Sequence, residues 1–331
     1  MVLSKRDQTY DIMKGIGIIL VLLGHVWQWN GTIINSFICS FHMPLFFIVA
    51  GCFSKSYNEV SGNMKNTIIS YIKRLYLPFF VSTMIMVLWF VFKSINKAKY
   101  ANMAITTLMS AIWGSVTLLH TPFGTVGVGA LWFLMALLSA KILFLFISKW
   151  GKWSGLIYII ISPLAVFLYS YKLPIPWCLL HGIAALPFVY VGWWWKRNNE
   201  YVPFWIGLSL VVCWVLAIVF SKLGMACLSF GCYPLDLLGA LGGTWVFFHI
   251  SRWISNHMAN VARVLAVFGY YSLAIYCWHS IDITANISRQ LLRFAGLPET
   301  MVVVEYCLRY TVTLLVAFAS IKLPLFKKVF A

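Results

Sequence analysis

The 331-residue sequence predicts an all-α polytopic membrane protein, a single integral membrane domain over 1–331 with about ten transmembrane helices and both termini cytoplasmic. Three observations carry this. First, 62% of residues are hydrophobic, only 10% are charged and the mean hydropathy is +0.87, whereas a soluble domain has about a quarter of its residues charged. Second, apolar segments of about 20 residues recur, the length that crosses a hydrocarbon core about 30 Å thick. Third, the basic residues concentrate on one of the two sides that those segments define.

In chain order the apolar intervals are 11–30, 33–53, 74–93, 127–148, 154–171, 174–194, 203–221, 234–251, 264–282 and 302–322. The stretch 104–120 is less apolar and reads as an eleventh span or a re-entrant piece. With ten spans and the N-terminus inside, the cytoplasmic side holds Lys5, Arg6, Lys14, Lys55, Lys65, Lys73, Arg74, Lys149, Lys152, Lys196, Arg197, Arg252, Arg263, Lys322, Lys327 and Lys328. The outside holds Lys93, Lys97, Lys99, Lys172, Lys222, Arg289 and Arg293. This asymmetry favours both termini inside and argues against an eleventh span, which would reverse everything after residue 126. It also accounts for the net charge of +17. No basic run with interleaved aromatics suggests nucleic-acid binding. A basic cytoplasmic face suits a nucleotide or anionic lipid. The eight cysteines form no CxxC pair and no zinc-like spacing, so no metal is expected. Cys227 and Cys232 flank one short loop and would be able to pair if that loop is extracytoplasmic.

The first interval, "DIMKGIGIILVLLGHVWQW", places Lys14 and His25 eleven residues apart. At about 100° and 1.5 Å per residue, they share one helix face, about 16 Å apart along the axis. Asp7 and Asp11 lie on that face toward the cytoplasm, and Gln28 and Trp29 continue it outward. A snorkelling anchor accounts for Lys14 alone, and an interhelical hydrogen bond accounts for His25 alone. Both on one stripe, with Asp11 beside Lys14, suggest a lined cavity.

In the second interval, "FHMPLFFIVAGCFSK", His42 sits in an apolar run beside Pro44, and Gly51 permits close backbone approach. In "YIKRLYLPFF", Lys73 and Arg74 stand at a cytoplasmic helix entrance, as topological anchors or as a phosphate-binding patch. Near the other side, His279 and Asp282 face either an acceptor or the interface. Glu305 and Arg309, four residues apart, read better as a satisfied buried ion pair than as a catalytic carboxylate with its neighbour.

Taken in order, these pieces resemble the membrane acyltransferase family 3, in particular its fucose 4-O-acetylase-like branch. The matching residues are "YDIMKGIGIILVLLGH", with Lys14 and His25, then "FHMPLFF", then "KRLYLP". "GALWFLMALL" (129–138), "LPFVYVGWWWK" (186–196) and "YYSLAIYCWHS" (270–280) continue the likeness over most of the chain. One departure stands out: many members carry Arg-x-x-Arg before the third helix, and here Tyr71 occupies the first of those positions.

The resemblance implies an O-acyltransferase, with acetyl-CoA or another acyl-CoA as co-substrate and no metal. It acts in the inner (plasma) membrane on a hydroxyl of a cell-surface or lipid-linked glycan. On this reading His25 is the general base, or is itself transiently acylated, with Lys14 and Asp11 completing the catalytic group. Lys73, Arg74 and Arg197 meet the nucleotide end, and His42, His279 and Asp282 meet the acceptor. The partners are the sugar acceptor and membrane lipids, not nucleic acid. A secondary transporter or polysaccharide exporter, using the same ionisable residues for proton coupling, is the rival class. The absence of an internal repeat speaks against it.

Overall fold

A computed structural model describes residues 8–26, 29–60, 62–95, 99–114, 129–296 and 302–330. Asp7 and Gln28, at the two ends of the expected polar stripe, lie outside the described residues. So do Lys5, Arg6, Lys97, residues 115–120 of the weaker interval and residues 127–128.

All named elements among the described residues are helical. The chain opens with α1 (Gln8–Gly24), α2 (Ile33–Cys39), α3 (His42–Cys52) and α4 (Met64–Ser94). Next come α5 (Lys99–Trp113), α6 (Trp132–Ile147), α7 (Ser154–Ser170) and α8 (Leu179–Ala184). They are followed by α9 (Leu186–Arg197), α10 (Phe204–Phe220), α11 (Tyr233–His257) and α12 (Ala259–Tyr270). The last four are α13 (Ser272–Ala285), α14 (Ile287–Phe294), α15 (Val302–Ser320) and α16 (Pro324–Phe330).

Among the described residues each apolar interval carries helix, but the helices are more interrupted than the intervals. Among the described residues four stretches are long and apolar enough to cross a membrane: Ile33–Cys52, Met64–Ser94, Gly129–Ser170 and Val303–Ser320. A fifth is added if α12 and α13 form one broken span. The stretch Gly129–Ser170, 42 residues long, is about twice what one crossing needs. It is broken at Gly151, whose φ of 56° lies in the left-handed region that glycine tolerates. The interval 174–194 splits because Pro187 has no N–H to offer the Ile183 carbonyl, so α8 stops and α9 restarts. The helices α1 and α10 have only 17 residues each. The weaker interval forms α5, which packs along α4 and, at about 22 Å, is shorter than the hydrocarbon core.

The chain forms two compact units, each discontinuous in sequence. Unit 1 comprises Met1–Ser54, Phe188–Met225 and Ser229–Leu273. Here α1 packs on α3, α11 and α12, and α10 packs on α11. Glycines set these distances. A Cβ on Gly269 would overlap the Asp11 carbonyl, and one on Gly15 would overlap the Leu265 carbonyl, so α1 and α12 touch backbone to backbone. Gly51 and Gly192 play the same part between α3 and α9, against Val189 and Ile48. The expected close approach at Gly51 is therefore present.

Unit 2 comprises Lys55–Pro187, Ala226–Leu228 and Ala274–Ala331. In it α6 packs on α4 and α8, and α7 on α8. The Ser162 hydroxyl, inside α7, donates to the Ala184 carbonyl at the end of α8 (2.8 Å). It satisfies one of the acceptors that a helix end leaves open.

Candidate functional site

The expected site residues divide between the units. Unit 1 holds Asp11, Lys14, His25, His42 and Arg197; unit 2 holds Lys73, Arg74, His279 and Asp282.

In unit 1, Lys14 Nζ lies 2.7 Å from Asp11 Oδ1, one turn back on α1. Asp11 is buried and Lys14 half-buried. The Asp11 backbone is the segment pressed against Gly269, so the pair is anchored where α1 and α12 approach closely. His25 corrects the sequence reading in one respect: α1 ends at Gly24, one residue before it, and does not run to residue 30. The His25 amide bonds to the Leu22 carbonyl three residues back, as the last turn tightens. This frees the Val21 carbonyl, and His25 Nδ1 lies 2.8 Å from it. A carbonyl only accepts, so Nδ1 carries a proton, and in the neutral ring Nε2 is the acceptor. The ring thus replaces its own backbone amide as donor at the helix end.

His42 repeats the device. Its Nδ1 lies 2.7 Å from the Ile38 carbonyl, in the last turn of α2, again leaving Nε2 as the acceptor. The two imidazoles lie within electrostatic reach of each other. Phe41 stacks on Phe247 (4.5 Å) and meets Trp214 edge-on (5.3 Å). The Trp214 indole N–H donates to Ser40 Oγ (2.8 Å). These contacts fix the link that carries His42.

Arg197 is exposed, but its guanidinium is tied to its own unit. Nη2 donates to the Ser54 carbonyl beyond α3 (3.1 Å), Nη1 to the Trp193 carbonyl (3.2 Å), and the group lies 4.7 Å from the Trp193 ring centroid. A neighbouring cluster escaped the sequence reading. The Tyr10 hydroxyl donates to Glu200 (2.9 Å), Glu200 pairs with Lys196, and Lys196 lies over the Tyr10 ring. The four-residue spacing of Lys196 and Glu200 was the available signal; the link to Tyr10, 190 residues away, had none. An apolar cavity of about 160 Å³ in the same unit is lined by Ile48, Trp194, Trp245 and their neighbours. None of the expected site residues lines it.

In unit 2, Lys73 and Arg74 are exposed on the first third of α4. Pro78 follows within the helix and denies the Arg74 carbonyl its usual partner. His279 and Asp282 are both buried, three residues apart on α13. The His279 ring faces that of Tyr310 (6.3 Å). Asp282 belongs to a four-residue charge network. Arg309 Nε lies 2.9 Å from Asp282 Oδ2, Arg309 Nη2 3.2 Å from Glu305 Oε1, and Arg289 Nη2 3.1 Å from Glu305 Oε1. The other Asp282 oxygen accepts from the Ser288 amide (2.7 Å) and hydroxyl (2.8 Å). Two positive and two negative groups balance. Glu305 and Arg309 are thus the satisfied pair their spacing suggests, and Asp282 and Arg289 join them.

Cys227 and Cys232 are exposed free thiols. Among the described residues no three His, Cys, Asp or Glu side chains converge as a metal site would require.

Apolar helices of membrane-crossing length, with buried ion pairs packed between them, point to a helical membrane protein. The chain belongs to acyltransferase family 3: the family model, described as an acyltransferase domain, matches residues 7–322. It is therefore a membrane protein and an acyltransferase. Comparison with curated proteins and with solved structures returned no match.

Proposed function

We propose that the protein is an O-acyltransferase of the fucose 4-O-acetylase-like branch. It would move an acyl group, normally acetyl, from cytoplasmic acyl-CoA to a hydroxyl of a cell-surface or lipid-linked glycan. The observation that carries this reading is the state of His25. Its Nδ1–H is committed to the Val21 carbonyl, so Nε2 is the nitrogen able to take a proton. In the proposed step Nε2 removes the acceptor hydroxyl proton as the oxygen attacks the thioester carbonyl. The C–S bond then breaks, the CoA sulfur leaves as thiolate, and the imidazolium returns the proton to it. The products are an ester and free CoA thiol.

Lys14, held by Asp11, supplies positive charge on the cytoplasmic side of α1. Lys73, Arg74 and Arg197 are assigned to the donor's phosphates, and His42, His279 and Asp282 to the acceptor. The proposed topology has ten crossings with both termini cytoplasmic, in an inner or plasma membrane. The charge distribution supports it. Family membership favours this enzyme over a transporter or exporter.

The test is transfer of radiolabel from acetyl-CoA by the purified protein, with cell-surface glycan O-acetyl content compared with and without the gene. Label in glycan, and loss of O-acetyl without the gene, are expected. No transfer to any glycan hydroxyl by folded protein would overturn the reading.

A further inference from the structure

The inference concerns Lys141, a cation set in the otherwise apolar α6 "WFLMALLSAKILFLFI". Six residues from the end of that helix, it lies about 9 Å inside it. An ionisable group at such a depth is a functional candidate whose partners need naming. Lys141 Nζ lies 4.4 Å from the centroid of the Tyr71 ring on α4 and within electrostatic reach of Arg74, one turn further along α4. Two cations from two packed helices, Lys141 half-buried and Arg74 exposed, thus lie within reach of each other.

The surroundings add to the positive charge. The Lys55 amide donates to the Tyr71 hydroxyl (3.5 Å). The Tyr57 amide donates to Ser148 Oγ (2.8 Å), just past α6, and Lys149 lies over the Tyr57 ring (5.6 Å). The loop 55–60 is therefore stitched to both α4 and the end of α6. The face so formed carries Lys55, Arg74, Lys141 and Lys149. Among the described residues the carboxylate tied to it is Glu59, interacting with Tyr71 and accepting from the Ser56 amide (2.6 Å) and hydroxyl (2.9 Å). Four cations against Glu59 leave this face, among the described residues, positive. Like charges gathered on one face are stabilised by an incoming anion.

We propose that Lys141 and Arg74 are the paired cations of a phosphate-binding site between α4 and α6, with Tyr71 positioning the lysine. Several cations over one face suit a ligand with several phosphates, as coenzyme A is, and this choice of source rests on the function proposed above. A phospholipid headgroup offers the same chemistry.

The full chain in detergent is titrated with coenzyme A and with pantetheine, which has no phosphate. The same chain in nanodiscs is tested for retention of phosphatidylglycerol over phosphatidylcholine. Lys141→Gln should bind coenzyme A roughly ten- to a hundredfold more weakly, as expected for losing a hydrogen bond to a charged group. Pantetheine binding should not change. Lys141→Arg should stay near the parent, and Tyr71→Leu should weaken coenzyme A more than Tyr71→Phe. Thermal melts confirm folding, and Tyr71→Leu tests the site independently if Lys141→Gln does not fold. If the parent binds coenzyme A and neither Lys141→Gln nor Tyr71→Leu weakens it, the inference is overturned and the donor assignment stands. If no form binds coenzyme A but Lys141→Gln loses phosphatidylglycerol, the phosphate site stands with a lipid source, and the donor assignment fails. Independence of both ligands from Lys141 and Tyr71 overturns the site.

Discussion

Replacing Arg309 by Met is expected to be among the most destabilising single changes in unit 2. The Arg309 side chain is 8% exposed, and those of its partners Asp282 and Glu305 are each 5% exposed. Met keeps much of the volume and removes the charge. Buried Asp282 then loses its ion-pair partner, and buried Glu305 keeps only Arg289, whose side chain is 44% exposed. Breaking a buried ion pair from one side costs roughly 3–5 kcal/mol, because the remaining charge is uncompensated. For a unit of about 200 residues, each kcal/mol lowers the melting midpoint by about 2–4 °C. The expected loss is therefore about 6–20 °C. The assay is thermal unfolding in detergent, followed by monodispersity on size exclusion. Arg309→Lys should lose part of this, because an ammonium cannot reproduce the fork that reaches two carboxylates. Adding Asp282→Asn and Glu305→Gln to Arg309→Met should restore most of it. A midpoint for Arg309→Met within about 2 °C of the parent would refute the reasoning, since it would mean the network carries no net stabilisation.

Gly269→Val should disrupt the α1–α12 contact, since even one added carbon meets the Asp11 carbonyl; overpacking of this kind costs about 1–3 kcal/mol, read as lower folded yield, and parental yield would contradict the contact. The double change Lys73→Ala with Arg74→Ala should weaken coenzyme A binding while leaving the melting midpoint near the parent's, as both side chains are exposed; unchanged affinity would reduce them to topological anchors. Reporter fusions after Arg197 and at Ala331 should both report cytoplasm, and an external signal at either would overturn the ten-span arrangement.

The apolar intervals were legible because burial in lipid demands long runs of apolar residues, and among the described residues each such run carries helix. The breaks within them were less legible. Gly151 and Pro187 are visible in the sequence, but composition over a 20-residue window does not register one residue's backbone preference. The end of α1 at Gly24 was missed for a related reason. His25 replaces a backbone bond by a side-chain bond, and periodicity alone carries no trace of that exchange. Pairs close in sequence were readable from spacing: Asp11 with Lys14, and Glu305 with Arg309. Partners brought in by the fold were not. Asp282 meets Arg309, Lys141 rests on Tyr71, and Tyr10 bonds Glu200 across separations that no local pattern encodes.

The central claim is that His25 Nε2 accepts the acceptor's proton, and His25→Gln tests it most directly. The glutamine amide is able to donate to the Val21 carbonyl as Nδ1–H does, so the helix end and the fold should survive. It has no group that takes a proton near neutral pH. Acyl transfer from acetyl-CoA is measured with expression-matched parent, His25→Gln and His25→Ala. Both variants are expected to lose about 10²- to 10⁴-fold, the usual worth of general acid–base catalysis, with His25→Gln melting near the parent. Near-parental turnover in His25→Gln would contradict the account and leave His25 as the closure of a helix end.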